Sequence, residues 1–402
     1  MEEVLRSSEK LKLEFVFNPN KCIVCNACVN ACNNAYGGLN WRKLLVFESE
    51  GVKVGVSISC NHCENPLCMK VCPSDAIKKN EMGIIYIDSK ECIGCGYCTW
   101  ACPYEEPTFN KEGIMTKCDF CMDRLLNKKG LPLCVEACPT GALSFGWVKE
   151  TEYKADYLAP YSITKPKITI RESKVKINAN PLKTRREKNY WQLLVFTIAS
   201  ELSLGTLILK FNNFIPLMLM LIALLPAILH INRKERFYKV IRNLKSSWLS
   251  REVLFSSLSV LSLLTLLLTN LQIVYYISLA LTSLAVLSSL MVYMLKSTPS
   301  WYNLNTPVSF IGTIFTTVFP LGYFVFHLTP LILVLPLIFS LMEIVTSRRK
   351  MRIILNSVFL ITLISSIILP LISILASALA VSSEVIERKE FFEKILYYGL
   401  PV

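Results

Sequence analysis

The sequence predicts two dissimilar halves: an α+β domain rich in cysteine, followed by an all-α domain of about eight membrane-spanning helices. Three observations carry this division. All sixteen cysteines lie between Cys22 and Cys138. The long apolar runs lie after Tyr190. The 402 residues are 52% hydrophobic and only 18% charged, against roughly 25% charged in ordinary soluble chains. We place the cysteine-rich domain at residues 1–160, a basic linker at 161–189 and the membrane domain at 190–402.

Charge follows the same partition. Residues 1–160 carry a net −2, residues 161–189 a net +7 and residues 190–402 a net +8. The basic excess belongs to the linker and the apolar half, which argues against a nucleic-acid partner, since that would want a basic folded domain. The first twenty residues lack the apolar core of a signal peptide. Sixteen cysteines are therefore expected to face a reducing compartment, where metal binding outweighs disulfides.

The cysteines fall into four groups of four. The first is Cys22-x2-Cys25-x2-Cys28-x3-Cys32 and the second Cys60-x2-Cys63-x4-Cys68-x3-Cys72. The third is Cys92-x2-Cys95-x2-Cys98-x3-Cys102 and the fourth Cys118-x2-Cys121-x12-Cys134-x3-Cys138. A proline follows each of the last three. The third is the bacterial ferredoxin run, in which three close thiolates wrap one face of a cluster and the fourth ligates its neighbour. Zinc ribbons use paired C-x2-C units and seldom repeat four cysteines before a proline. Four complete groups predict four [4Fe–4S] clusters and no three-iron cluster.

Local patterning completes this half as a double ferredoxin-like iron–sulfur domain. Gly83 to Asp88 and Ala142 to Gly146 read as strands that each close a two-cluster unit. His62, between Cys60 and Cys63, reads as an outer donor to cluster sulfur, because the four groups are already complete. In the linker, Lys174 to Ile177 has strand character.

Apolar segments follow at 190–209, 213–231, 252–270, 272–295, 307–327 and 329–346, each near the ~20 residues that cross a bilayer. A last stretch, 351–381, is too long for one span. A turn at Leu369-Pro370 would divide it and make residues 371–396 an eighth helix. Because that helix is polar in its second half, seven spans and a surface helix is the alternative. Alternate links are short, and the opposite links are basic: Arg233, Lys234, Arg236, Lys239, Arg242, Lys245 and Arg251 in one, Arg348, Arg349, Lys350 and Arg352 in another. The positive-inside rule makes that side cytoplasmic, and the cysteine half is attached there.

Ionisable residues within spans are functional candidates by default. Glu201 falls midway along the first span, either hydrogen-bonded to Ser or Thr neighbours or handling protons. His230 closes the second span, Arg251 and Glu252 open the third, and Glu343 ends the sixth, where interfacial snorkelling is expected. Only His230 and His327 could ligate a membrane haem, and they lie on opposite faces, so no haem is expected.

Several stretches then resemble a known family. Cys60-Asn61-His62-Cys63-Glu64-Asn65-Pro66-Leu67-Cys68, Cys92-Ile93-Gly94-Cys95-Gly96-Tyr97-Cys98 and Met115 to Arg124 resemble the electron-transfer subunit of dimethyl sulfoxide reductase. The resemblance implies crossed ligation. Cys22, Cys25, Cys28 and Cys138 would hold one cluster, and Cys118, Cys121, Cys134 and Cys32 its neighbour. Cys60, Cys63, Cys68 and Cys102 would hold a third, and Cys92, Cys95, Cys98 and Cys72 the fourth. The apolar half resembles the anchor subunit of the same enzyme at Trp191 to Thr197, Leu229-His230, Ser246 to Glu252, Pro299 to Tyr302 with Thr306-Pro307, and Glu384-x3-Arg388. That anchor exchanges electrons with quinone. The resemblance assigns quinol handling to His230 and Glu252, with Arg251 and Glu201 as further candidates. The chain departs from the family at Ile231-Asn232 and at Glu201, where the family tends to carry glutamine, and it joins two subunits that are normally separate.

These readings converge on a non-catalytic electron-transfer and anchor subunit in the cell membrane. It would link quinone to a separate molybdopterin catalytic chain acting on sulfite, polysulfide, thiosulfate, tetrathionate or a sulfoxide. A redox-driven proton-translocating subunit is the alternative. Against it, Glu201 stands nearly alone among the spans, and no Asp follows Asp156. A zinc-stabilised membrane scaffold is the non-redox reading.

Overall fold

A computed structural model describes residues 11–401 other than 50, 188–189, 230–231 and 348, and of 227–229 the backbone alone. The chain divides into two compact units, Met1–Lys183 with Tyr397–Val402, and Thr184–Leu396.

The first unit is built on β1 (Lys12–Phe17), α1 (Ala27–Ala35), β2 (Lys43–Ser49), β3 (Val52–Ile58), α2 (Leu67–Val71), β4 (Ile77–Lys79) and β5 (Ile85–Ile87). It continues through α3 (Tyr97–Ala101), β6 (Thr108–Phe109), β7 (Met115–Thr116), α4 (Met122–Leu126), α5 (Leu133–Glu136), β8 (Leu143–Val148), α6 (Tyr161–Thr164) and β9 (Ile168–Ile170). β1 is the middle strand of a three-stranded sheet, antiparallel to β8 and parallel to β9. Its alternation sends Leu13, Phe15 and Phe17 into the main core, as a strand with one covered face requires. Glu14, between them, is also fully buried and accepts from Thr151 Oγ1 at 2.8 Å and from Thr169. The pairs β2–β3, β4–β5 and β6–β7 are antiparallel hairpins. The expected strands at Gly83–Asp88 and Ala142–Gly146 correspond to β5 and β8.

Two expectations for the linker are corrected. Residues 168–170 are not linker: Ile168 and Ile170 are fully buried, and β9 pairs with β1, so this unit runs past residue 160 to Lys183. Lys174 to Ile177 forms no strand. Its alternation finds no sheet edge, and the segment is held through the Lys176 carbonyl, which accepts from Ser49 Oγ at 3.0 Å.

β10 (Leu182–Arg186) pairs with β11 (Lys394–Tyr398), and the boundaries between the units fall within these two strands. Between them lie α7 (Trp191–Ile208), α8 (Phe214–Leu229), α9 (Trp248–Thr269), α10 (Gln272–Tyr293), α11 (Asn305–Val325), α12 (Val334–Thr346), α13 (Lys350–Ile368) and α14 (Ile372–Glu393). Among the described residues five of these, α7, α9, α10, α11 and α13, are long and apolar enough to cross a membrane. Shorter apolar stretches occupy Phe214–Pro226 and Pro330–Thr346. The long stretch divides at 369–371, where Pro370 lacks the N–H that would continue α13.

α14 is not a surface helix in its polar half: Ser383, Glu384, Glu387 and Arg388 are buried, against α7, α11 and α13. Small residues let these helices approach, as in membrane bundles generally. A Cβ on Gly205 of α7 would meet Val318 Cγ2 of α11 at 2.8 Å. One on Gly312 of α11 would collide with the Glu343 carboxylate of α12.

Candidate metal centres

In the first unit four cavities of similar size are each ringed by four cysteines. One of ≈ 330 Å³ is lined by Cys22, Cys25, Cys28 and Cys138. A second of ≈ 290 Å³ is lined by Cys32, Cys118, Cys121 and Cys134. A third of ≈ 320 Å³ takes Cys60, Cys63, Cys68 and Cys102. The fourth, ≈ 310 Å³, takes Cys72, Cys92, Cys95 and Cys98. Each cavity draws three cysteines from one sequence group and one from another, and these are the sets that the resemblance implies. Among the described residues no three His, Cys, Asp or Glu side chains converge on a single-ion site. The sulfurs ring a space rather than a point, which suits a polynuclear group over one zinc ion.

Repeated backbone geometry produces the rings. The residue before the second cysteine is left-handed in all four groups: Val24, His62, Gly94 and Phe120, with φ of 57°, 41°, 67° and 62°. Each such turn reverses the chain around the cavity, and turns of this kind aim backbone N–H groups at negative sulfur. The last cysteine of the second, third and fourth groups lies just beyond a short helix (α2, α3 or α5), and Cys32 lies within α1; each lines the neighbouring cavity. Gly55 of β3 is required by close approach, because a Cβ there would sit 2.8 Å from Cys22 Sγ.

Polar side chains around the cavities fit a negatively charged occupant. Lys117 is buried with its ammonium 3.4 Å from Cys60 Sγ, and it also donates to the carbonyls of Cys118, at 3.0 Å, and Ile85. Arg42, fully buried, donates to Ser57 Oγ at 3.1 Å and Ser59 Oγ at 2.7 Å, and lies over the Phe15 ring at 4.1 Å. His62 Nδ1 accepts from the Ile85 N–H at 2.9 Å, so in the neutral ring the proton is on Nε2. Burial, with Lys117 nearby, holds His62 well below its ordinary pKa and so keeps it neutral. His62 Nε2 and Asn61 Nδ2 are buried without partners among the described residues, and both side chains line the third cavity.

Burial also pushes the Cys68 and Cys95 thiols up to about 12, and Cys32 up to about 11. These sulfurs therefore lose their protons when metal supplies the compensating charge. Nothing in the residue pattern signals Lys117 or Arg42 beyond their nearness to cysteines. An isolated basic residue in a domain with 18 of them is otherwise unremarked.

Among the described residues, the membrane candidates Glu201, Arg251 and Glu252 are held by separate partners. His230 lies outside the described residues. Glu252, near the start of α9, is 6% exposed, and its Oε1 has no hydrogen-bond partner among the described residues. Arg251 does not pair with it. Arg251 donates instead to the carbonyls of Leu244 and Lys245, at 2.8 and 2.7 Å, and stacks on Trp248.

Glu201 is not nearly alone. Both its oxygens accept from Arg388 Nη2, at 2.8 and 3.1 Å, and α14 brings further buried acids beside it. Nor does Glu343 snorkel: it is 1% exposed, accepts from Asn356 Nδ2 at 2.8 Å and pairs with Arg352 at 3.3 Å. The turn after α12 places Glu343 and Arg352 on facing helices. No sequence period marks that convergence.

Comparison with known proteins agrees with this architecture. A family described as 4Fe-4S dicluster domain matches residues 54–148, and one described as DMSO reductase anchor subunit (DmsC) matches residues 191–368. The B subunit of anaerobic dimethyl sulfoxide reductase from Escherichia coli (strain K12) is 40% identical over 179 residues, covering 39% of this chain and 87% of that protein. Its counterpart in Haemophilus influenzae is 35% identical over 184 residues, covering 40% of this chain and 89% of that protein. Thiosulfate reductase electron transfer subunit PhsB of Salmonella typhi is 39% identical over 142 residues, covering 33% of this chain and 74% of that protein.

Cysteine rings of this kind, in a chain that also carries apolar membrane-length helices, define an iron–sulfur electron-transfer protein of the membrane. The chain belongs to the dimethyl sulfoxide reductase family of iron–sulfur and anchor subunits, with both joined in one polypeptide. It is an electron-transfer and membrane-anchor component of an oxidoreductase complex.

Proposed function

We propose that the chain relays electrons between membrane quinone and a separate molybdopterin catalytic subunit acting on a sulfur compound, by way of four [4Fe–4S] clusters. The observation that carries this reading is the set of four similar cavities, each ringed by four cysteines. When bound, the clusters supply one-electron carriers in series. The chain's own residues do the rest. The sixteen cysteines fix position, and the crossed sets bind neighbouring cavities together. Lys117, Arg42 and the His62 Nε2–H offset the negative charge of sulfur. In the membrane half, Glu252 is the candidate hydrogen-bond and proton partner for a quinone oxygen, with His230 at the other end of the same basic connection.

We place the cluster half on the cytoplasmic side, because the 232–251 and 347–352 connections carry the basic residues. Protease added outside intact cells should leave residues 153–186 uncut, and cleavage there would reverse the topology.

The test of function uses the full chain with its partner in native membranes. Added quinol should reduce four centres seen by electron paramagnetic resonance, and the co-purified subunit should contain molybdenum or tungsten. Centres that quinol cannot reduce and quinone cannot oxidise, or a partner without either metal, would overturn the proposal.

A further inference from the structure

The membrane half contains a connected set of buried charges that the electron path does not use. Arg352 of α13 is 1% exposed and faces three carboxylates. Its Nη2 lies 3.3 Å from Glu343 of α12 and 3.2 Å from Glu384 of α14, and its Nη1 lies 3.2 Å from Glu387. Arg349 pairs with Glu387 at 3.0 Å and with the partly exposed Glu390 at 3.3 Å. On the other side, Glu384 Oε2 accepts from Thr313 Oγ1 of α11 at 3.0 Å and from Ser309 Oγ at 3.2 Å. Thr313 Oγ1 also accepts from Arg388 Nη2 at 3.5 Å, the same nitrogen that donates to both oxygens of Glu201. Asn305, Asn356 and Ser383 supply further polar groups around these acids.

Charge counting among the described residues shows where a proton must reside. Glu201 is matched by Arg388, and Glu387 by Arg349. Glu343 and Glu384 are left to share one guanidinium, on the same nitrogen. Two buried carboxylates against one cation cannot both ionise without a large cost. Independently, Glu343 Oε1 is buried with no partner among the described residues, which is where a carboxylic O–H costs least.

We propose that Glu343 and Glu384 hold one exchangeable proton between them, and that this pair is the loading site of a proton relay running from the Arg349–Glu390 end of the network to Glu201. Glu387 passes protons between the partly exposed end and the pair. The Thr313 hydroxyl gives its proton to one carboxylate as it takes one from the other, so one O–H bond forms for each that breaks. The guanidiniums stay protonated and hold the carboxyl groups in line. At rest the relay stores one proton; an incoming proton reaches Glu201 and leaves the Arg388 charge uncompensated until it departs. This goes beyond electron transfer and does not depend on the identity of the quinone or the catalytic partner.

The test is infrared spectroscopy of the full chain in lipid vesicles, with no electron donor present. Wild type should show a protonated-carboxyl band that shifts in heavy water. Glu343→Gln and Glu384→Gln should each lose it, since the surviving acid then has Arg352 to itself, whereas Glu201→Gln should retain it. Spectra of both variants that overlay the wild type would overturn the shared proton. After a rapid acid jump, a second carboxyl band, absent from Glu201→Gln, should rise as Glu201 is protonated. In Thr313→Val and in Glu387→Gln it should rise about tenfold more slowly. An unchanged rise in both would overturn the relay. Should a glutamine variant fail to fold, the wild-type bands and the Thr313→Val rate still decide the matter.

Discussion

The Lys117 ammonium stands 3.4 Å from the sulfur of Cys60 and donates to the carbonyl of Cys118 at 3.0 Å. One buried cation thus touches two of the four cysteine sets. A fixed positive charge beside a reducible centre stabilises the added electron, and strongly so where water is excluded.

Lys117→Met keeps the length of the side chain and removes its charge. The midpoint of the centre held by the Cys60 set should fall by about 59 mV or more, a tenfold change for a one-electron couple. Lys117→Arg should restore most of it. Redox-poised electron paramagnetic resonance checks this; an unmoved midpoint in Lys117→Met would leave the lysine a purely structural role.

Cys102 closes the third sequence group but lines the cavity of Cys60, Cys63 and Cys68. Cys102→Ser should therefore disturb the centre held by the second group and spare the one ringed by Cys92, Cys95 and Cys98. Iron content and reduced-state spectra distinguish the two. Damage confined to the third group's own centre would refute the crossed assignment.

Glu14 supplies a pH dependence. Desolvation raises its pKa above the ordinary 4.5, against the opposing hydrogen bonds from Thr169 and Thr151. The folded state therefore binds this proton more tightly than the unfolded state does. Its contribution is fully present below 4.5 and is lost as pH rises through the folded value. Glu14→Gln should flatten the decline in stability of the cluster half between about pH 4.5 and neutrality, measured by hydrogen exchange of the β1 amides. A decline as steep in the variant as in wild type would show that other groups set it.

Glu252→Gln removes the charge from a buried carboxyl whose Oε1 has no partner among the described residues. All cysteine-held centres should assemble normally, yet their exchange with quinol should slow by about tenfold, close to 1.4 kcal/mol of barrier. Stopped-flow reduction measures it. Unchanged rates in Glu252→Gln and in His230→Ala would remove this end of α9 from the quinone site.

The sequence is legible where spacing encodes local geometry. The Cys-x2-Cys loops, the helix limits of the apolar half and the break at Pro370 are set by residues within a turn of one another. It is silent where the site is assembled across the chain. Lys117 gives no pattern until β7 brings it against Cys60. Glu201 looks isolated because its partners Arg388 and Glu384 lie almost two hundred residues on, in a helix whose polarity reads as surface. A buried ion network and a solvated helix face carry the same local composition; only packing separates them. Residues 168–170 escape for the same reason, since a basic, proline-containing stretch hides one strand that completes a sheet begun at Lys12.

The membrane half begins after Lys183 and ends before Tyr397, where the chain returns to the first unit and Leu400 enters its core. In order of synthesis, Leu400 leaves the ribosome after every helix from α7 to α14. The cluster half can fold and acquire iron early, but its last core contact waits for the membrane half to be made. Assembly of that core is thereby tied to translation beyond α14: a ribosome that stalls within the helices leaves a cluster domain lacking the buried Leu400. Cutting the chain at the start of α7 to recreate two separate subunits would strand residues 397–402 on the wrong polypeptide.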